Sequence, residues 1–301
     1  MGHGHGHGHS AENDRRRLVV ALVVTVVCAV LGAVGAILTG SLALLADLGH
    51  LLTDAGALVG AVIAAAVATR PATLRRTFGL GRVEVLVAGI NAAMLVAVVV
   101  WVAVEGASRL FEPAEIPGLP LLVIGAAGLV GNVVSLVVLA GGDRENMNMR
   151  GAMLHVLGDA LGSVGVMVAA LVLLTTGWPY ADTIASLFIA VLILPRAVSL
   201  LREVWHVLLE GAPAGIEVGQ VRSTLLGVPG VVEVHDLHVW AINDRTPSMS
   251  AHLVVAAEAR DATGCGVLDR AGAALREHFG LTHSTLQVEH HAHSDHEHSC
   301  D

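Results

Sequence analysis

The sequence predicts an α-helical membrane bundle of six transmembrane helices followed by a small cytosolic α+β domain. Three observations carry the prediction. Of the 301 residues, 54% are hydrophobic and only 14% are charged, with a mean hydropathy of +0.70, which excludes an ordinary soluble domain. Six apolar stretches each reach the length of about 20 residues that a bilayer crossing needs. After Glu210-Gly211-Ala212-Pro213 the composition turns from apolar to mixed.

The spans are expected at residues 18–39, 41–68, 84–108, 118–140, 152–176 and 182–204. Gly40-Ser41, Arg70-Pro71, Glu112-Pro113, Gly141-Gly142 and Trp178-Pro179 separate them with turn-forming or helix-ending residues. The first follows Arg15, Arg16 and Arg17 but is longer than a signal-peptide core, so it is expected to stay as a helix. Arginine supplies all 17 basic residues. In a six-span arrangement Arg15–Arg17, Arg70, Arg75, Arg76, Arg82, Arg144, Arg150, Arg196 and Arg202 fall on one side, and Arg109 alone falls on the other. Cytoplasmic loops carry the excess of basic residues, which predicts a multi-pass cell-membrane protein with both termini in the cytoplasm.

Beyond residue 213 the pattern predicts a short amphipathic helix at 217–227, strands at 231–242 and 249–257, a helix at 262–280 and a strand at 284–290. Asn243-Asp244-Arg245-Thr246-Pro247 is a turn cluster that would close the first two strands into a hairpin. The α-β-β-α-β order implies a small α+β sandwich. The expected organisation is a His-rich cytosolic tail at 1–17, a transmembrane domain at 18–208, a cytosolic domain at 209–290 and a second His-rich tail at 291–301.

Some classes drop out early. The net charge of −9 comes partly from the polar ends and gives no sign of nucleic-acid binding. Cys28, Cys265 and Cys300 are odd in number and widely spaced, which implies no disulfide framework and suits a reducing compartment.

The chemistry lies in two repeated pairs. His50 and Asp54 stand four residues apart in LALLADLGHLLTDAGALVGAV, and His155 and Asp159 repeat that spacing in AMLHVLGDALGSVGV. Residues at i and i+4 share a helix face, so two such helices facing each other would bring two imidazoles and two carboxylates together. That donor set suits tetrahedral Zn²⁺, with Cd²⁺, Co²⁺ and Ni²⁺ as competitors and Mg²⁺ or Ca²⁺ poorly matched. Ionisable groups inside a bilayer are expensive and mark ion pathways. Packing alone would explain one pair more readily than two. Asp47, three residues before His50, can share its face and is expected to orient His50, with a spare ligand or a proton carrier as alternatives. Asp182 is expected to cap the sixth helix.

LLADLGHLLTDAGAL and HVLGDALGSVGV resemble the second and fifth transmembrane helices of the cation diffusion facilitator family, zinc-type branch. The resemblance extends to FGLGRVEVLVAGINA at 78–92, Asn132 in GLVGNVVSL, ADTIAS at 181–186 and HDLHVWAI at 235–242. It implies six transmembrane helices, a cytosolic ferredoxin-like domain and a homodimer that exports divalent metal in exchange for protons. By the same resemblance the transport-site ligands are His50, Asp54, His155 and Asp159. Many relatives carry a His-rich loop between the fourth and fifth helices; this chain has GGDRENMNMR there, and its histidines sit in HGHGHGHGH at 3–9 and HHAHSDHEH at 290–298. The tails, with Cys300 at the C-terminal end, are expected to bind metal loosely without forming a core, although the first also has the look of a purification tag.

In the cytosolic domain His235 and His252 lie symmetrically about Asn243-Asp244, which would make them cross-strand neighbours in an antiparallel hairpin. The resemblance implies a cytosolic Zn²⁺ site from His235, His252 and Glu289. Gln287 stands where some relatives have His, so the site is expected either to be incomplete or to recruit His283. His238 is expected on the opposite strand face. The function expected is a Zn²⁺/H⁺ antiporter in the lipid bilayer, and no enzyme. A membrane-bound zinc sensor and an intramembrane metalloenzyme are the rivals, but HLLTD and HVLGD lack the glutamate of HExxH, and four protein ligands leave no open coordination position.

Overall fold

The computed structural model describes residues 7–142, 147–243, 246–256 and 265–290. Six long helices come first: α1 His7–Thr39, α2 Leu42–Ala68, α3 Arg82–Arg109, α4 Gly118–Ala140, α5 Met147–Thr176 and α6 Ala181–Leu208. Each contains a stretch long and apolar enough to cross a membrane. The C-terminal part follows as α7 Val218–Leu226, β1 Val231–Ala241, β2 Pro247–Val255, α8 Cys265–Phe279 and β3 His283–Glu289. The expected turn through Asp244 and Arg245, residues 1–6 of the N-terminal tail, the C-terminal tail at 291–301 and most of the segment joining α4 to α5 lie outside the described residues, whereas residues 7–17, expected as tail, belong to α1.

The chain divides into two compact units, residues 1–58 with 91–199 and residues 59–90 with 200–301. In the first, all six helices contribute to one core, with Ala36, Leu42, Leu95, Leu121, Val166 and Ile189 all buried. Small residues bring the helices close, as where Gly125 on α4 faces Val166 and Met167 on α5. Outward-facing apolar side chains such as Ile37 at 82% exposure and Val137 at 70% have no aqueous rationale and match a surface solvated by lipid chains. Only Gly40 and Ser41 connect α1 to α2. Gly40 takes φ +67°, the left-handed conformation that ends a helix, and its N–H returns to the Ala36 carbonyl.

Asp182 does not cap its own helix. It lies in the first turn of α6, and its carboxylate accepts from the Ser41 hydroxyl and from the Leu42 N–H. The N–H groups that open α2 have no partner within their own helix, and in a bilayer they have no water to turn to. Arg109 joins the same cluster: its guanidinium lies 3.8 Å from Asp182 and donates to the Gly40 carbonyl and to Glu105. The one arginine on the minority side of the charge pattern is thus held in an ion network.

In the second unit, β1 and β2 pair antiparallel, and β2 and β3 pair parallel, in the order β1-β2-β3. A parallel neighbour needs a crossover, and α8 lies within it. Val267, Ala271 and Leu275, one turn apart, turn the apolar stripe of α8 inward with Val221 and Leu225 of α7. Val234, Val239 and Leu253 meet them from the sheet, which leaves its other face to polar residues.

Candidate metal centres

α2 presents His50 and Asp54 on one face, and α5 presents His155 and Asp159 on one face, because four residues make slightly more than one helical turn. The two pairs converge. His50 Nε2 lies 3.8 Å from both Asp54 Oδ2 and Asp159 Oδ1, and His155 lies 3.5 Å from Asp54 through Nδ1 and 3.5 Å from Asp159 through Nε2. Tetrahedral zinc with bonds of about 2.1 Å sets its donors about 3.4 Å apart, so small side-chain rotations would close the shell. One donor atom from each of His50, His155 and Asp159 already lies within 4.8 Å of the others. His50 and Asp159 are buried, and His50 Nδ1 and Asp159 Oδ2 have no hydrogen-bond partner. Buried polar atoms without partners are costly, and a metal ion would satisfy such donors.

A fifth residue reaches this cluster, one that sequence reasoning used only for orientation. The Arg196 guanidinium, from α6, donates to Asp54 Oδ2 at 3.1 Å and to His155 Nδ1 at 3.2 Å. The signal was a charge directly after Pro195, amid the otherwise uncharged run of α6 from 183 to 201. Asp47 does not orient His50. It lines a cavity of about 30 Å³ with Cys28, Asn132, Asp159 and Ser163, wide enough for water. Asn132 is tied to Ser163 by a hydrogen bond of 3.2 Å.

On the polar face of the sheet, His235 and His252 are register partners with ring centroids 5.0 Å apart. Glu289 lies between them, with one carboxylate oxygen 3.0 Å from His235 Nε2 and the other 3.0 Å from His252 Nδ1. The carboxylate is 4% exposed, and the three residues hold donor atoms within 4.8 Å of one another. Gln287 serves as a support here, donating to Glu289 Oε1 at 2.8 Å.

Two expectations fail in this unit. His283 is not brought to the group: it pairs with Ser248, whereas Glu289 pairs with Val254, and six residues of strand put about 20 Å between them. Its ring packs on Phe78 instead. His238 is not on the opposite face from His235. A bulge between them, with Asp236 at φ +49°, adds one residue and reverses the alternation, so His238 faces the same way and pairs with Ser250. Asp236 lies 2.9 Å from His238 and 3.9 Å from His252.

Both parts of the chain match known families. Residues 18–209 match the family described as the cation efflux transmembrane domain, and residues 213–291 match the cation efflux protein, cytoplasmic domain. The zinc transporter ZitB of Yersinia pseudotuberculosis serotype I is 41% identical over 283 residues, covering 93% of this chain and 89% of that protein. The cadmium, cobalt and zinc/H(+)-K(+) antiporter of Bacillus subtilis is 36% identical over 283 residues, covering 93% and 91%. The metal cation efflux system protein CzcD of Cupriavidus metallidurans is 38% identical over 289 residues, covering 96% and 90%.

Proposed function

The chain belongs to the cation efflux family, that is, the cation diffusion facilitators, and from that premise we propose that it is a homodimeric Zn²⁺/H⁺ antiporter of the cell membrane with both termini in the cytoplasm. That it is a multi-pass membrane transporter exporting divalent metal cations, and not an enzyme, follows from the family and its relatives. The convergence of His50, Asp54, His155 and Asp159 to 3.5–3.8 Å inside a membrane-spanning bundle supports zinc most directly. Two nitrogen and two oxygen donors in that spacing suit a borderline-soft tetrahedral ion better than Mg²⁺ or Ca²⁺. Relatives named for zinc, and for cadmium, cobalt and zinc, point the same way.

An imidazole must be neutral to bind metal, so loading releases protons and protonation on the far side expels the ion. Helix movements that expose the four donors to one side at a time would couple the two fluxes. The second cluster, His235 with His252 and Glu289, supports a regulatory metal site in the cytosolic domain, where the dimer contact is also proposed. It offers three protein ligands and a fourth position for water or another donor.

The experiment is metal flux into proteoliposomes under an imposed pH gradient, comparing Zn²⁺, Cd²⁺, Co²⁺, Fe²⁺ and Mn²⁺. Zinc should enter faster when the interior is acidic, with protons moving the opposite way, and Asp54→Ala or Asp159→Ala should abolish the flux. Robust zinc flux with no proton movement would leave a uniporter. Half the parental rate in both alanine variants would remove the site assignment.

A further inference from the structure

We propose that Arg196 is a tethered counter-ion of the transport site, displaced from Asp54 and His155 each time metal binds. The proposal rests on the transport-site reading above. Its guanidinium donates to one atom of each residue, Asp54 Oδ2 at 3.1 Å and His155 Nδ1 at 3.2 Å. Arginine can only donate, so His155 Nδ1 is the acceptor and offers its lone pair. A neutral imidazole has one such lone pair. If metal binds at Nδ1 it takes that lone pair directly; if it binds at Nε2, the remaining proton moves to Nδ1 and faces the guanidinium donor. Either way Arg196 loses its acceptor, and the incoming dication repels it from Asp54 as well.

The surroundings suit such a displacement. The Arg196 side chain is 54% exposed, whereas Asp54 is 14% exposed, so the guanidinium has room to withdraw while the carboxylate stays. Pro195, one residue earlier, lacks the N–H that would bond the Val191 carbonyl, which loosens α6 at this point. Before metal binds, Asp54 and Asp159 would leave two carboxylates close together in the bundle, and the guanidinium offsets one of them. Each metal must displace the same competitor, so ions that bind the four donors weakly are rejected first. Arg196 in this account sets a threshold of affinity and contacts no metal.

The test uses the full chain in lipid nanodiscs and proteoliposomes, carrying alanine at His235, His252 and Glu289 and in place of the histidines at 3–9 and 290–298 and of Cys300, so that zinc reports on the membrane site. Arg196→Met should bind Zn²⁺ roughly tenfold more tightly, about 1.4 kcal/mol, with a lower KM and a lower maximal flux, while Arg196→Lys stays near the parent. Affinity unchanged or weaker in Arg196→Met would overturn the proposal. A second measurement needs no substitution of Arg196: modification by phenylglyoxal, read on its peptide by mass spectrometry, should increase when Zn²⁺ saturates the protein, and unchanged modification would also overturn it. Asp54→Ala separates the two readings. If that variant still binds zinc, the transport-site assignment itself fails; if it loses zinc while Arg196→Met behaves as the parent, the counter-ion role alone falls.

Discussion

The carboxylate of Asp182 on α6 accepts a hydrogen bond of 2.7 Å from the backbone N–H of Leu42 at the start of α2. One helix thus caps another across 140 residues of sequence. The capped helix is the one that carries His50 and Asp54, and His50 lies eight residues beyond Leu42, about 12 Å along the axis. A negative charge at that end also complements the helix dipole.

Asp182→Ala is therefore expected to destabilise the bundle by on the order of 1–2 kcal/mol, the range for losing a helix N-cap, and to free Arg109 from one of its partners. Asp182→Asn, which retains an acceptor, should lose less. Thermal unfolding in detergent measures both, and melting temperatures equal to the parent's would mean that α2 does not depend on the contact.

His50→Asp replaces an imidazole with a carboxylate in the four-donor cluster. Transport selectivity should broaden or move toward harder ions such as Mn²⁺, with zinc flux reduced. Competition between Zn²⁺ and Mn²⁺ in proteoliposomes checks this. An unaltered metal preference would argue that His50 lies outside the coordination shell.

Zinc affinity at the membrane site should increase with pH. Metal competes with protons for the four donors, so binding weakens as pH falls and they take up protons, and levels off once they are free of them. Isothermal titration at pH 5.5, 6.5 and 7.5, in buffers of different ionisation enthalpy, gives both the affinity and the protons released. Zinc binding with no proton release at any of the three pH values would be inconsistent with proton-coupled loading of this site.

The C-terminal domain has a core of its own and should unfold at higher temperature when zinc is present, because an ion bound only by the folded form stabilises it. The isolated segment 209–301 with alanine at His235, His252 and Glu289 should lose that gain, whereas His283→Ala should keep it, since the strand register sets His283 at the other end of β3. If removal of residues 290–301 alone abolished the gain, the tail would be the zinc-binding element.

The six spans and the two HxxxD pairs were legible in the sequence because both depend on local periodicity. Length and hydropathy define a membrane helix, and a spacing of four puts two side chains on one face whatever surrounds them. The pairing of His235 with His252 was expected from their equal distance from Asn243-Asp244, but the hairpin closes with Ala241 opposite Pro247, a register that would set His235 opposite Leu253, and the bulge at Asp236 supplies the shift that brings His252 there. Arg196 was not, because its reach to Asp54 and His155 depends on how α6 packs beside α2 and α5, and no spacing encodes that. The destination of the Asp182 carboxylate depended equally on packing, which sets the start of α2 beside it across 140 residues of sequence. His238 was assigned to the wrong face because the bulge at Asp236 inserts a residue into the alternation, and His283 to the wrong end because only the parallel pairing of β3 with β2 sets its height in the sheet. Local repeats determined the elements and the primary donors; side-chain neighbours from distant segments were decided by packing, which no short stretch of chain contains.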